Sequence, residues 1–289
     1  SVNLHKVLHA ALSLKPGRNK VIAEADCFPS DLYVLEGVKS LHPDLKILLE
    51  GRDGSSIPEM LDEQVAAVLI NHVDYRSGTI RDMENLTRQV QEFGGLAVWD
   101  LSHSAGIYPV QLNRCRVDFA VGCTYKYLNG GPGAPAYLYA ASRHHAACSQ
   151  PLSGWFGHAR PFDFERHFDP DSGIRRFVCG TQPILSLRAL QSGLEIYQDV
   201  SLQQVREKSM ALTDLFIKLL KNECAAWELE IISPEDASQR GSQVAVSHPE
   251  GYAVMQALIS RGVIGDFRAP NLMRFGFAPL FLSYQDIHD

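Results

Sequence analysis

Four polar clusters each follow directly on a short apolar run: Phe28-Pro29-Ser30-Asp31 after residues 21–25, Asn71 after 65–70, Asp100-Leu-Ser-His103 after 96–99, and Cys123-Thr-Tyr125-Lys126 after 117–121. In open α/β sheets a ligand sits beyond the carboxyl ends of the strands, so these clusters make one rim where a site would gather. An acid at one strand end and a lysine after the next suit pyridoxal 5'-phosphate, which needs an amine for its aldehyde and a carboxylate for its pyridinium nitrogen. Lys126 and Asp100 match those two roles. The same residues also read as a solvated loop lysine and a cap of the following segment, and spacing alone does not choose between the readings.

The remaining candidates are equally two-sided. His103 could stack on a pyridine face or be an ordinary histidine between Ser102 and Ser104. Arg274 lies in an apolar strand, where a guanidinium is costly without an anion. A substrate carboxylate would serve, and so would a structural Asp or Glu. Trp155, in Ser153-Gly-Trp-Phe-Gly-His158, lines a site or fills a core. Other chemistries lack their motifs. There is no G-x-S-x-G elbow for a serine hydrolase. Gly130, Gly131 and Gly133 do not form G-x-G-x-x-G, and prolines interrupt the place where a nucleotide-binding helix would start.

The elements that must position these residues follow from periodicity. Residues 1–14 read as a helix with Ser1 at its start and Pro16-Gly17 as its stop. Strands are expected at 21–25, 46–49, 65–70, 96–99 and 117–121, with helical segments such as 81–93 between them. That alternation is the pattern of a doubly wound, mostly parallel α/β sheet. Beyond it, residues 185–220 read as one long amphipathic helix, 227–232 and Gln243–Ser247 as strands, and 252–260 as a helix. We expect a large domain over residues 1–195 and a smaller α+β domain over 196–289.

The bulk properties fit this division. The chain has 289 residues, more than one ordinary core accommodates. With 45% hydrophobic and 21% charged residues it can bury two cores, and its net charge of -6 is unclustered, which argues against a nucleic-acid or membrane-docking surface. The six cysteines form no C-x-x-C pair and no zinc-ligand spacing, as expected of reduced thiols in a cytoplasmic protein, and no metal site is expected. The glycosylation-like string Asn85-Leu-Thr87 carries no weight in such a chain.

Taken together, several strings resemble the kynureninases, in the class V aminotransferase branch of the fold type I pyridoxal-phosphate enzymes: Ser1-Val-Asn-Leu-His5, Phe28-Pro-Ser-Asp31, Trp99-Asp-Leu-Ser-His-Ser-Ala-Gly106, Cys123-Thr-Tyr-Lys-Tyr-Leu-Asn129, Gly154-Trp-Phe-Gly157, Gly180-Thr-Gln-Pro183, Phe267-Arg-Ala-Pro270 and Arg274-Phe-Gly276. The resemblance runs along essentially the whole chain. It implies that Lys126 carries pyridoxal phosphate as a Schiff base, that Asp100 pairs with the pyridinium nitrogen, and that Phe28 and His103 contact the ring. It also implies that Ser1, the Pro29-Ser30-Asp31 segment and Tyr125 contact the cofactor or its phosphate. A phosphate at the Ser1 helix end suits the unpaired backbone N–H groups there. Asn71 falls near the ring hydroxyl, Tyr125 is a candidate proton relay, and Arg274 matches the arginine that holds the substrate α-carboxylate. Trp155 and Thr181 match positions reaching the phosphate from a neighbouring subunit, which implies a homodimer. The implied reaction is hydrolysis of L-kynurenine, or of 3-hydroxykynurenine, to the corresponding anthranilate and L-alanine. Related class V activities, a cysteine desulfurase or an aminotransferase, and an inactive cofactor-fold scaffold are the alternatives. Kynureninases are longer at both ends, so the chain is expected to lack part of each domain.

Overall fold

A computed structural model of the chain describes residues 1–288. The first half alternates as its periodicity predicts: α1 (Val2–Leu14), β1 (Lys20–Glu24), α2 (Pro29–Leu41), β2 (Lys46–Glu50), α3 (Ile57–Met60), β3 (Val65–Asn71), α4 (Met83–Glu92), β4 (Leu96–Asp100) and β5 (Phe119–Gly122). A further strand, β6 (Tyr137–Ala140), closes the edge antiparallel to β5 and precedes the short helix α5 (Ser142–His145). The sheet order is β2-β1-β3-β4-β5-β6, with every pair but the last parallel.

Strand alternation sends successive side chains to opposite faces, and each face has its own helices. Leu69, Leu96 and Val98 pack with Leu4, Val7 and Leu8 of α1 and with Leu35 and Val38 of α2. On the other face Ile70, Ala97 and Trp99 pack with Ile57 of α3 and with Leu86 and Val90 of α4. The Trp99 indole is fully buried and donates its Nε1–H to Thr87 Oγ1 at 3.0 Å. The result is the doubly wound arrangement that alternating strands and helices require.

The second half departs from the periodicity in two places. Instead of one helix over 185–220, the chain forms α6 (Ile184–Glu195), a 3₁₀ turn over Ile196–Asp199, and α7 (Leu202–Glu223). Val200 is extended, and Ser201 starts α7 with a capping box closed by Gln204, a Ser-x-x-Gln signal that apolar spacing does not register. The strand expected at 227–232 is only β7 (Glu230–Ile231), because Ala225–Trp227 forms a 3₁₀ turn and Glu228 adopts a left-handed φ of 50°. Then come β8 (Gln243–Ser247), α8 (Gly251–Ser260), β9 (Asp266–Arg268), β10 (Leu272–Gly276) and α9 (Tyr284–His288). The small antiparallel sheet runs β7-β8-β10-β9, and α7 and α8 cover it through Leu212, Ile217 and Met255.

The loop after β3 ties the small sheet to the large one. Gln243 donates its side-chain amide to the Tyr75 carbonyl at 2.9 Å, Gly241 donates its N–H to the Gly78 carbonyl at 2.7 Å, and Ile80 donates its N–H to the Gln239 carbonyl at 2.8 Å. These bonds place β10 opposite the carboxyl ends of β3 and β4.

Candidate active site

Asn71 and Asp100 are the last residues of β3 and β4 and lie side by side in register, with Val121 next to Asp100 on β5. By alternation both side chains share the face of Leu69 and Val98, toward the amino ends of α1 and α2. Phe28 is the N-cap of α2, Pro29 begins the helix, Ser30 is half-buried, and Asp31 is only 4% exposed. Burial, and then the neighbouring Asp100 carboxylate, push the Asp31 carboxyl up to about 7. Asp100 itself accepts the Ser102 N–H at 2.6 Å, which turns the chain sharply at the strand end.

Lys126 stands on a closed turn after β5. Asn129, at a positive φ of 58°, donates its N–H to the Lys126 carbonyl at 3.0 Å, and Gly130 donates to the Thr124 carbonyl at 2.9 Å. Lys126 Nζ lies 3.1 Å from His103 Nε2, with the Phe28 ring centroid at 5.9 Å and the Tyr125 centroid at 5.7 Å. Burial pushes the Lys126 amine below its ordinary value. His103 is lowered to about 3, first by burial and then by the Lys126 charge, so the imidazole is neutral and, with its proton on Nδ1, accepts a hydrogen bond at Nε2 from the amine. Tyr125 is 53% exposed, and desolvation first of all raises its hydroxyl, which therefore keeps its proton at neutral pH. The turn leaves no spare room. A Cβ on Gly106, which has a φ of 96°, would stand 2.7 Å from the Tyr127 carbonyl oxygen and 2.8 Å from the Tyr197 hydroxyl.

Arg274 faces the same cleft from β10. Its Nε donates to Asp266 Oδ1 at 2.8 Å, its Nη2 to Asp266 Oδ2, and its Nη1 to the Tyr75 carbonyl. Its Cζ lies 5.5 Å from the Tyr75 ring centroid, and that ring meets Phe28 edge-on at 5.3 Å. A guanidinium, two aromatic rings and the Lys126 amine thus form a continuous wall. Desolvation raises the Asp266 carboxyl, but the hydrogen bond and charge of Arg274 outweigh it and hold the group below its ordinary value.

Asp31 Oδ2 and Asn71 Nδ2 are buried and complete no well-formed hydrogen bond among the described residues, although the Asn71 amide lies near enough to Asp31 to favour its ionised form slightly. Unpaired buried polar atoms are costly and mark places where a partner from outside the chain belongs. An acceptor and an amide donor beside Asp100, below an amine and an aromatic ring, fit the polar pyridine of pyridoxal phosphate.

Not every residue singled out by sequence joins this group. Ser1 is an exposed N-cap without a side-chain capping bond. Trp155 is 44% exposed; its ring contacts are Phe156, Phe162 and Phe164, and its indole donates to the Pro161 carbonyl. Thr181 is exposed just before α6. Among the described residues, no hydrogen bond or ring contact links Trp155 or Thr181 to Lys126, His103 or Asp100. Conversely, Tyr75 and Asp266 join the site although the sequence does not single them out. Tyr75 lies four residues beyond a strand end, within the polar stretch where such residues gather. Asp266 carries a usable signal, since an acid and an arginine on two hairpin strands are candidates for a cross-strand pair.

Comparison with known proteins adds three findings. A family profile described as the kynureninase C-terminal domain matches residues 205–289. The kynureninase of Burkholderia mallei (strain SAVP1) is 47% identical over 294 residues, an alignment covering 100% of this chain and 70% of that protein. Among solved structures, the apo cysteine desulfurase of Thermococcus onnurineus NA1 superposes with a TM-score of 0.79 at 19% identity, covering 99% of this chain and 74% of that one. A C-DES mutant with glycine covalently linked to its PLP cofactor superposes at 0.82 and 14%, covering 99% and 76%. These two share the fold.

Proposed function

Since the chain belongs to the kynureninase family, we propose that it hydrolyses L-kynurenine to anthranilate and L-alanine with pyridoxal phosphate, and that the rim around Lys126 does the chemistry. The observation that carries this reading is the Lys126 amine, lowered by burial, held 3.1 Å from a neutral His103 and beside the strand-end carboxylate Asp100.

Lys126 would hold the aldehyde carbon of the cofactor and Asp100 its ring nitrogen. Phe28 and His103 would line the ring, Asn71 the ring hydroxyl, and Ser1, Pro29, Ser30, Asp31 and Tyr125 the rest of the cofactor and its phosphate. When bound, pyridoxal phosphate supplies a protonated ring into which charge developing at the substrate Cα can spread. The Lys126 amine removes the Cα proton, a task suited to an amine whose pKa burial has lowered. Arg274 orients the substrate through its α-carboxylate. Tyr125, which keeps its hydroxyl proton, relays a proton as water adds at the γ-carbonyl and the Cβ–Cγ bond breaks.

The assembly reading rests on uncovered apolar surface. No residue of α6 is buried; Leu185 is 88% exposed and Ile184 60%, while Phe162 and Phe164 near Trp155 are 66% and 75% exposed. Exposed apolar side chains grouped in this way support an interface there. We propose a homodimer in which Trp155 and Thr181 reach the phosphate in the other subunit's site. The cofactor-binding unit is assigned to residues 1–195 and the small unit to 196–289, the division falling where α6 ends. Among the described residues no helix is long and apolar enough to cross a membrane, and we place the protein in the cytoplasm.

Product analysis tests the reaction. With L-kynurenine the protein should release anthranilate and alanine in equal amounts, and with L-cysteine little or no alanine. The reverse preference would favour a desulfurase. Cys123, the cysteine nearest Lys126 in sequence, is held in the turn and points its thiol toward the Ser102 carbonyl at 3.9 Å, unlike a mobile nucleophile.

A further inference from the structure

We propose that Asp266 is a positioning residue for substrate recognition: it holds Arg274 by one edge of the guanidinium so that the other edge is presented to the α-carboxylate. This deepens the proposed function and rests on its reading of Arg274 as the carboxylate-binding residue.

The geometry is specific. Arg274 and Asp266 are direct cross-strand partners on β10 and β9. Both carboxylate oxygens of Asp266 are engaged, one by Nε at 2.8 Å and one by Nη2, so the acid grips the side edge of the fork. The Tyr75 carbonyl accepts from Nη1, and the Tyr75 ring lies 5.5 Å from Cζ. A guanidinium has five N–H donors. Three are taken by these partners, which leaves one on Nη1 and one on Nη2 to offer a second carboxylate. Arg268, with Nη2 3.1 Å from Asp266 Oδ2, adds a second positive charge, so the group carries one acid against two bases. A substrate carboxylate would supply the missing negative charge. The guanidinium side chain is 11% exposed, so little solvent competes for those donors.

Two roles for Asp266 predict opposite signs. If it orients Arg274, removing its charge loosens the fork and weakens carboxylate binding. If it merely competes for the guanidinium, removing its charge tightens binding.

Asp266→Asn keeps the shape and one acceptor oxygen. In the cofactor-loaded protein we expect KM for L-kynurenine to rise about tenfold with kcat within about threefold, since an interaction that orients the substrate before reaction is lost. The product L-alanine, followed by the change in cofactor absorbance, should bind about tenfold more weakly, while ethylamine, which lacks the carboxylate, binds as before. In an Arg274→Ala background, Asp266→Asn should have no further effect. An unchanged or lower KM, or equal weakening of L-alanine and ethylamine, would overturn the proposal. If Arg274→Ala itself left KM and L-alanine binding unaltered, the reading of Arg274 would fall, and the role of Asp266 with it. If only Asp266→Asn were silent, the role of Asp266 alone would fall.

Discussion

The rim of the large sheet and the segment from residue 151 to 199 are built on opposite terms. At the rim, small polar groups are buried and fixed: Asn71 and Asp31 are each 4% exposed, the lysine turn is closed by backbone hydrogen bonds, and two polar atoms still lack a well-formed hydrogen bond. In the segment, large apolar groups are left in the open, with no buried residue in all of α6. Unmet needs of a different kind mark each region. Buried polar atoms call for a polar small molecule, whereas exposed Leu185 and Phe164 call for another apolar surface. Within one chain, the first region is shaped by its own strands, and the second leaves its apolar side chains exposed.

The sharpest way to break this comparison is to remove the chemistry while leaving the apolar segment intact. Lys126→Ala should lower kynurenine turnover by at least ~10²–10⁴-fold, the range for losing a positioned proton-transfer group, without changing the sedimentation of the protein. Turnover near that of the unaltered protein would detach Lys126 from the reaction.

Next in size is the converse experiment. Ile184→Glu with Leu185→Glu places two charges on the exposed face of α6. The dimer dissociation constant should rise on the order of tenfold to a hundredfold, seen by sedimentation equilibrium, with the helical signal retained. Activity should fall with the dimer fraction. A dimer of unchanged affinity would show that this face is not the interface.

The smallest effect concerns pH. In the folded chain the Asp31 carboxyl titrates at about 7, above the ordinary range near about 4. The folded state therefore binds this proton more tightly than the unfolded state. The stabilisation from protonation is complete below the unfolded value and is lost as pH rises through about 7. With cofactor removed, Asp31→Asn should flatten the decline of Tm between pH 4 and 7 and raise Tm at pH 8 relative to the unaltered chain. An unchanged slope would place the titration elsewhere. Substitutions in α6 should leave that slope alone, which separates the two regions once more.

Much of the rim is legible in the sequence. Apolar runs ending in Asn71, Asp100 and the Tyr125-Lys126 pair declare strand ends, and parallel α/β topology brings such ends to one edge. The break between α6 and α7 is not legible from apolar spacing, because the spacing continues across the 3₁₀ turn at Ile196–Asp199 and the extended Val200, and the local signal there is the Ser201 cap. The status of Trp155 and Thr181 cannot follow from one chain's sequence either, since the contacts proposed for them lie across an interface.

By itself, then, the sequence determined the fold class and the residues that could do chemistry, because both depend on local periodicity and on residue type. Tertiary structure decided which of those residues meet. It set Asn71 beside Asp100 through strand register, brought His103 to 3.1 Å from Lys126, and paired Arg274 with both Asp266 and the Tyr75 carbonyl 199 residues earlier. Register, domain docking and the desolvation that moves a pKa are properties of the packed chain, and no window of neighbouring residues contains them.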